Sequence, residues 1–441
     1  MIKIYLSSLG CAKNLVDSEM MLGLLQHHHF MITENPAEAY VIIINTCGFI
    51  ADAKEESINT ILALAEYKKH GNCKLLAVAG CLVQKYRQEL VKALPEVDLF
   101  LGTNAYHLIA VTLAEKLVMQ PILPLDAEAF YQKRSLLTPP YTAYLKIAEG
   151  CDNNCTYCLI PQLRGPKVSR TVESILAEAK ILLDGGVREL ILIAQDTTAY
   201  GYDIYGREVL PELLRKLAEM PFKWIRLLYS YPNRISDELL KVMASCPNIC
   251  HYMDIPVQHV SKKILKTMGR GGSRQDIEAV IARIRGFMPD MAIRTTFMVG
   301  FPGEARRDVE ELLGFVEGNN LTWAGVFRYC REEDTSAALM PHQVRESTKI
   351  KRYNELMELL ALVGKKQKAE WLGKVMEVLL EEPSCEMPGF WQARSQYHAP
   401  DVDGVVYVRG TDYQAGEFVK VKITDADSYD LFAEPIVIDD K

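Results

Sequence analysis

The pattern of apolar and polar positions divides the chain into three regions of different texture. Up to about residue 118, short apolar stretches of strand length alternate with stretches that have the periodicity of amphipathic helices. Apolar strands separated by helices are typical of a parallel sheet that is covered on both faces. The sequence therefore predicts a parallel βα domain, with strands at 2–7, 40–45, 74–79 and 97–101 and helices at 14–26, 51–68, 83–93 and 105–118.

The second region begins after residues 120–142, which have prolines at positions 121, 124, 139 and 140 and little periodicity. Beyond them six further strands alternate with helices, and such a series predicts a partial (β/α)6 barrel. In such a barrel the chemistry belongs at the C-terminal ends of the strands. The strands are predicted at 143–148, 188–194, 223–229, 251–255, 292–298 and 323–328, and the helices at 172–184, 209–219, 236–245, 274–286 and 305–318.

The third region follows a highly charged helix that is predicted over 344–372. There the pattern changes to alternating strands such as 404–409 and 418–424, which is typical of a small all-β domain. The predicted fold class is therefore α/β with an all-β C-terminal domain. We expect the domains to cover residues 1–135, 136–370 and 371–441.

Composition places the chain in the soluble globular class. Of its 441 residues 49% are apolar and 24% are charged, which excludes a disordered or collagen-like chain. No apolar stretch approaches the roughly 18 residues that a membrane span needs. The start, MIKIYLSSLGC, lacks the features of a secretion signal. We therefore expect a cytoplasmic protein without a membrane partner.

The charge of the chain is small but unevenly distributed. The net charge is −7, which argues against a general nucleic-acid binder. Residues 371–441 contain 6 basic and 14 acidic residues, a net charge of −8, whereas the first 370 residues carry +1. An acidic domain repels RNA and attracts a basic partner. An acidic surface that only maintains solubility is the alternative.

The eleven cysteines are an odd number, which points to metal or thiol chemistry rather than to a disulfide framework. Cys151, Cys155 and Cys158 stand in EGCDNNCTYC, directly after the first barrel strand. Thiolates select iron–sulfur clusters or zinc, and structural zinc prefers four ligands. Three cysteines without a nearby histidine favour a four-iron cluster with one open iron. A zinc loop that a distant residue completes is the alternative.

A second triplet is formed by Cys11, Cys47 and Cys81 in SLGCAKN, INTCGFI and AGCLVQK. Each cysteine directly follows a predicted strand of the first domain. Because parallel strands end at one edge of their sheet, the three thiols can converge there as ligands of a second cluster. Buried, inert thiols are the alternative, and glycines at 10, 48 and 80 would let the backbone approach a cluster. The other five cysteines form no third triplet: Cys73, Cys246, Cys250, Cys330 and Cys385.

The C-x3-C-x2-C motif, with Tyr157 before its last cysteine, resembles the motif of the radical S-adenosylmethionine enzymes. The resemblance implies that S-adenosylmethionine binds the open iron of a 4Fe–4S cluster. Its reductive cleavage would give a 5′-deoxyadenosyl radical that abstracts a hydrogen atom.

The order of domains resembles that of the methylthiotransferases, which carry two 4Fe–4S clusters and a TRAM-like C-terminal domain. One branch of that family modifies tRNA adenosine, and another modifies an aspartate of small-subunit ribosomal protein twelve. Asp196-Thr197-Thr198 in LIAQDTTAYG and Gln258-His259 in MDIPVQH resemble the ribosomal-protein branch more closely. The resemblance implies that a methylthio group is inserted at the β-carbon of the aspartate. It also implies a basic ribosomal protein as substrate and a reductant such as flavodoxin or ferredoxin, with nucleic acid not expected as substrate.

Four further residues are expected to bind the cofactor. Tyr157 is predicted to pack near the adenine, and Gln195 and Arg294 to contact the ribose or carboxylate of S-adenosylmethionine. Gly300 lies in VGFPGE, with Pro302 and Gly303, in a turn where the cofactor can approach the backbone. Loop packing for Tyr157 and an ion pair for Arg294 are the alternatives.

His259 is a candidate for contact with the substrate carboxylate, and a packing role is its alternative. Two alternative functions also remain open at this point. The first is a tRNA methylthiotransferase, and the second is a non-catalytic iron–sulfur scaffold that binds ribosomal components.

Overall fold

The first region of the chain folds into a five-stranded parallel sheet in the order β2-β1-β3-β4-β5. The structure is a computed structural model that describes residues 1–123 and 127–436. The central strands are buried on both faces, which explains their continuous apolar sequences, such as the valine and three isoleucines at positions 41–44. The strands are β1 (Lys3–Ser8), β2 (Met31–Ile32), β3 (Val41–Thr46), β4 (Leu75–Gly80) and β5 (Leu99–Leu101), and the helices are α1 (Ala12–His27), α2 (Ala51–Ala65), α3 (Tyr67–His70), α4 (Cys81–Ala93), α5 (Ile109–Lys116) and α6 (Ala127–Gln132).

The second region forms a six-stranded parallel sheet in the order β13-β12-β11-β10-β9-β6, which is curved as an open barrel with β6 and β13 as its edges. A short antiparallel pair, β7 with β8, closes the base of the loop that follows β6. The strands are β6 (Thr142–Lys146), β7 (Ala148–Glu149), β8 (Val168–Ser169), β9 (Glu189–Ile193), β10 (Trp224–Leu227), β11 (Ile249–Asp254), β12 (Ala292–Val299) and β13 (Trp323–Arg328). The helices are α7 (Ile160–Arg164), α8 (Val172–Asp184), α9 (Tyr202–Tyr205), α10 (Leu210–Ala218), α11 (Asp237–Ser245), α12 (Lys262–Thr267), α13 (Arg274–Phe287), α14 (Arg306–Gly318) and α15 (Glu346–Ala369).

The third region is a closed barrel of five strands in the order β14-β15-β16-β18-β17. Its pairs are antiparallel except for β16 with β18. The strands are β14 (Val375–Pro383), β15 (Phe390–Ser395), β16 (Val406–Arg409), β17 (Phe418–Ala426) and β18 (Leu431–Pro435). The predicted α/β fold class with its all-β C-terminal domain is confirmed. The boundaries near residues 135 and 371 stay predictions, and residues 124–126 and 437–441 lie outside the described residues.

The segment that follows β15 enters the open barrel at the N-terminal ends of its strands. Arg226 Nη1 donates to the carbonyl of Gln396 at 2.7 Å, and Trp323 Nε1 donates to the carbonyl of Tyr397 at 2.6 Å. The buried carboxylate of Glu189 accepts hydrogen bonds from both Arg226 and Arg394. The C-terminal barrel thus closes the end of the open barrel that lies opposite the predicted site.

The helices give no indication of a membrane span. None of those within residues 1–123 and 127–436 is both long enough and apolar enough to cross a bilayer.

Candidate active site

Cys11, Cys47 and Cys81 lie at the ends of three adjacent strands. Cys11 precedes α1, Cys47 follows β3, and Cys81 begins α4. The strand register places Ser8 beside Asn45 and aligns the ends of β3 and β4, so the three ends are level. Gly10 has a φ of +89°, and a Cβ there would lie 2.8 Å from Cys47 Cβ. Glycine at this position therefore allows the first two strand-end loops to pack together.

Burial controls the acidity of these thiols. It raises the pKa of the Cys47 thiol and raises that of Cys81 to about 11. The nearby guanidinium of Arg164 opposes the rise at both cysteines. The charge of the Cys11 thiolate also raises the pKa of both other thiols. A metal that binds here must displace protons, because thiolates are the ligands.

Cys151, Cys155 and Cys158 lie in the loop that β7 and β8 close at its base. The backbone amides of Asn153 and Ile160 donate to the Sγ atoms of Cys151 and Cys158, each at 3.4 Å. Burial raises the pKa of Cys151 and, to about 12, that of Cys158. N–H groups that point at sulfur are a typical environment of an iron–sulfur cluster.

Arg270 places a cationic group at the second triplet, since its Nη1 atom lies 3.8 Å from Cys155 Sγ. In the part of the chain that the structure describes, no three histidine, cysteine or acidic side chains converge on a single metal ion. Two sets of three thiols, one with N–H donors directed at sulfur, fit iron–sulfur clusters.

The segment that follows the second triplet packs on the first domain beside Cys81. Cys81 packs against Leu159 and Leu163, which follow Cys158 directly in the chain. The hydroxyl of Thr103 donates to the carbonyl of Leu163 at 2.8 Å. These contacts exclude water from the space beside Cys81 and fix the first domain on the C-terminal ends of the barrel strands.

A buried ionic network supports the same interface. Arg164 donates to Asp17 Oδ2 at 2.5 Å, to Asn14 Oδ1 at 2.9 Å and to Glu149 Oε2 at 3.1 Å. Lys146 forms ion pairs with Asp17 and Glu149 as well. Because α1 contributes Asn14 and Asp17 and the barrel contributes the others, the network holds the two domains together.

The structure places Tyr157 and Gln195 next to the second triplet. The ring of Tyr157 packs edge-on against Phe301, with centroids 6.4 Å apart, and its hydroxyl accepts a hydrogen bond from Arg270 at 3.4 Å. Gln195 Nε2 donates to Glu149, whereas its Oε1 atom is buried without a partner among the described residues. An orphaned acceptor of this kind is suited to a donor group of a bound ligand.

Arg294 and Gly300 are engaged by the protein itself. Arg294 lies 3.0 Å from Asp254 Oδ1 and 3.3 Å from Asp403 Oδ1, inside the barrel. The amide of Gly300 donates to Glu304 at 2.9 Å, and Lys349 occupies the space beside its Cα. Contact of these residues with S-adenosylmethionine stays a prediction.

His259 is fully buried, and its Nδ1 atom accepts the backbone amides of Val260 and Ser261 at 2.9 Å. Burial lowers its pKa to about 4. Its Nε2 atom lies 3.7 Å from Glu304 and is buried without a hydrogen-bond partner among the described residues. A packing role and contact with the substrate both stay predictions for His259.

A cavity of about 220 Å³ opens beside Cys151. Its wall includes the carboxylate of Asp196, which accepts hydrogen bonds from Asn153, Arg234 and Thr198. Cations and carboxylates line the cavity together, and its lining residues are Gly150, Cys151, Asp152, Asn153, Lys167, Asp196, Ala199, Tyr202 and Arg234.

Several polar residues of the site were missed by the sequence analysis. All are buried, four of them at the interface of the first two domains and the last beside Cys155: Lys13, Asn14, Asp17, Arg164 and Arg270. A signal was present, because α1 begins with the polar sequence KNLVDSE directly after Cys11. Polar residues on both sides of a helix indicate that it contacts a second polar surface.

Three family models match consecutive parts of the chain. Residues 3–102 match an uncharacterized protein family, UPF0004. Residues 145–316 match the Radical SAM superfamily, and residues 372–436 match the TRAM domain. The predicted radical S-adenosylmethionine enzyme with a TRAM-like domain is therefore confirmed.

Solved structures of distant sequence share the fold. The radical S-adenosylmethionine methyltransferase TsrM from Kitasatospora setae superposes with a TM-score of 0.54 at 13% identity, and the match covers 74% of each chain. The cobalamin-dependent S-adenosylmethionine radical enzyme OxsB has a TM-score of 0.52 at 11% identity, over 81% of this chain and 56% of that chain.

Much closer relatives extend over the whole length. The ribosomal protein uS12 methylthiotransferase RimO of Clostridioides difficile is 47% identical over 440 residues, which is 98% of this chain and 99% of that protein. The protein of the same name from Desulforamulus reducens is 48% identical with the same coverage. The chain therefore belongs to the ribosomal protein uS12 methylthiotransferase family.

Proposed function

We propose that the protein attaches a methylthio group to the β-carbon of an aspartate residue of ribosomal protein uS12. The observation that carries the proposal is the packing of Cys81, a member of the first triplet, on Leu159 and Leu163, which follow the second triplet in the chain. A reaction that joins a carbon to a sulfur group needs both centres at one cavity. The names of the relatives point to the same activity.

The proposed cofactors are two 4Fe–4S clusters and S-adenosylmethionine. Cys151, Cys155 and Cys158 would hold one cluster, and Cys11, Cys47 and Cys81 would hold the other. When bound, these groups supply the hydrogen-atom abstraction and the methylthio group. The protein supplies thiolate ligands, N–H groups directed at sulfur, and an interface that excludes water.

S-adenosylmethionine is proposed to occupy the cavity beside Cys151, where cationic and anionic side chains suit its charged methionine end. Gln195 does not line this cavity, and with its unpartnered Oε1 atom it stays a proposed contact. Tyr157, Arg294 and Gly300 stay proposed contacts. For Arg294 such a contact requires exchange of an existing ion pair.

A basic protein substrate fits the charge of the C-terminal barrel. Some of its acidic residues are engaged internally, as Asp403 is with Arg294 and Glu381 is with Arg394. Eight others are exposed: Glu382, Glu386, Asp401, Asp412, Glu417, Asp425, Asp427 and Glu434. This surface favours a cationic partner over RNA. The further partner is a reductant such as flavodoxin or ferredoxin, and the proposed location is the cytoplasm.

The experiment is anaerobic reconstitution with iron and sulfide, followed by reduction in the presence of S-adenosylmethionine. The account predicts release of 5′-deoxyadenosine that increases when uS12 is added and does not increase with tRNA. A non-catalytic scaffold would release none. A protein that is colourless and contains zinc without iron would contradict the cluster assignment.

A further inference from the structure

Lys13 is a buried cation without an anionic partner. It stands two residues after Cys11, its residue exposure is 8%, and its side chain crosses the domain interface towards the barrel. The Nζ atom lies 3.0 Å from the centroid of the Tyr229 ring. It forms no hydrogen bond or ion pair with any residue in 1–123 or 127–436, whereas the interface lysine Lys54 pairs with Glu332 at 2.6 Å. Burial of an unpaired ammonium group is costly unless something balances its charge.

Tyr229 lies beyond the C-terminal end of β10 and has a φ of +60°, which is an unusual conformation for a bulky residue. Its carbonyl accepts hydrogen bonds from the amide and the hydroxyl of Thr197 at 3.0 and 3.1 Å, and its amide donates to Asp254 at 3.2 Å. Thr197 belongs to the Asp-Thr-Thr motif. These contacts maintain a strained backbone that holds the ring beneath Lys13, and such strain is concentrated at functional sites.

The groups whose negative charge favours the Lys13 ammonium are the thiol of Cys11 and the carboxylates of Asp254 and Glu149. Both carboxylates already have a cationic partner. Asp254 pairs with Arg294 at 3.0 Å, and Glu149 pairs with Lys146 at 2.7 Å. Apart from the Tyr229 ring, the ammonium group therefore has no direct partner among the described residues, and it lies at the interface of the first two domains. A ligand with an anionic group would complete this site.

We infer that Lys13 binds the side-chain carboxylate of the aspartate that is modified. The inference rests on the proposed function, which brings an aspartate between the two triplets. A charge-assisted hydrogen bond to the carboxylate fixes the adjacent β-carbon and rejects residues that lack the negative charge. Lys13 is thus a residue that determines specificity for aspartate over its neutral isostere asparagine. A counter-charge for a cluster on Cys11 is the competing role.

The test compares uS12 with a uS12 variant in which the target aspartate is replaced by asparagine. Reconstituted wild-type enzyme, Lys13→Met, Lys13→Arg and the control Lys54→Met are assayed for kcat/KM and for binding of fluorescently labelled uS12. We expect wild type and Lys54→Met to prefer the aspartate form by about 100-fold or more. Lys13→Met should lose about 100-fold on the aspartate form and bind both forms equally, and Lys13→Arg should restore part of the preference.

Unchanged discrimination in Lys13→Met would overturn the inference. The inference would also be overturned if the only effect of Lys13→Met were a change in the reduction potential or iron content of the cluster at Cys11. That result would show that Lys13 is a counter-charge for the cluster. If wild-type enzyme does not modify uS12 at all, the proposed function fails and the inference fails with it. If wild type modifies uS12 and Lys13→Met keeps its preference for the aspartate form, only the inference fails.

Discussion

Arg164 donates a hydrogen bond of 2.5 Å to Asp17, and this ion pair connects the supports of the two cysteine triplets. Asp17 lies on the helix that begins after Cys11, and Arg164 ends the helix that follows Cys158. Both side chains are almost completely buried. The relative position of the triplets therefore depends on a charge pair that water does not screen.

Asp17→Asn should strongly destabilise the docked domains. The substitution leaves the cations of Arg164 and Lys146 buried with only Glu149 to balance them, and breaking a buried pair costs about 3–5 kcal/mol. Urea unfolding of the purified protein measures the free energy of unfolding. Glu38→Gln is the matched control, because it removes the exposed pair with Lys3 and should leave that free energy unchanged. Equal effects of the two variants would contradict the structural role of the network.

Cys47→Ala should separate the two halves of the reaction. The variant should retain cleavage of S-adenosylmethionine, because the second triplet is intact, and should lose methylthio transfer. Cys73→Ala is the control, since Cys73 is a buried thiol of the same domain that donates only to the carbonyl of Leu75. It should retain both activities. Loss of both activities in Cys47→Ala would mean that the first domain is needed for the integrity of the barrel.

Arg270→Gln should lower the reduction potential of the cluster at Cys151, Cys155 and Cys158. The guanidinium is the cation next to Cys155 Sγ, and its removal disfavours the more negative, reduced cluster. An anaerobic redox titration followed by electron paramagnetic resonance measures the change. Arg274→Gln removes an arginine that pairs with Glu278 on the surface helix and should leave the potential unchanged. An unchanged potential in Arg270→Gln would show that Arg270 serves packing alone.

Asp403 should make stability depend on pH in an unusual direction. Burial raises the pKa of its carboxyl from 3.8 to about 6, above the value in the unfolded chain. The native state therefore holds the proton more tightly, and the contribution to stability is present below pH 4 and is lost as the pH rises through 6. The free energy of unfolding of wild type relative to Asp403→Asn should fall by about 2 kcal/mol between pH 4 and pH 7. A difference in the free energy of unfolding between wild type and Asp403→Asn that stays constant from pH 4 to pH 7 would contradict the raised pKa of Asp403.

Much of the fold was predictable because it is encoded in local periodicity. The apolar sequence of β3 and the regular spacing of the six barrel strands follow from burial on both sheet faces. The short strand β2 and the pair of β7 with β8 were missed, because a strand of two residues is too short to show a periodic pattern of apolar and polar positions. The insertion of the segment after β15 into the barrel was not predictable, since it depends on tertiary contacts such as Trp323 with Tyr397.

The site was predictable only in part, because several of its residues also depend on tertiary contacts. Regular spacing after strands identified Cys11, Cys47 and Cys81, and the C-x3-C-x2-C motif identified Cys151, Cys155 and Cys158. Neither signal gave information about residues that act across the interface. Lys13 and Arg164 resemble surface residues in the sequence and become buried only when the domains dock. The glycines at 10 and 80 were expected to make room for a cluster. In the structure Gly10 makes room for Cys47, Gly48 for the backbone of Leu82 and Gly80 for the carbonyl of Thr46, and their role beside a cluster stays a prediction.

The proposed modification of uS12 is tested most directly by tandem mass spectrometry of uS12 after anaerobic incubation with reconstituted enzyme, reductant and S-adenosylmethionine. A parallel reaction contains tRNA. The account predicts that one methylthio group replaces one hydrogen on the β-carbon of a single aspartate of uS12, with tRNA unchanged. A methylthio group on a tRNA nucleoside together with unmodified uS12 would contradict it.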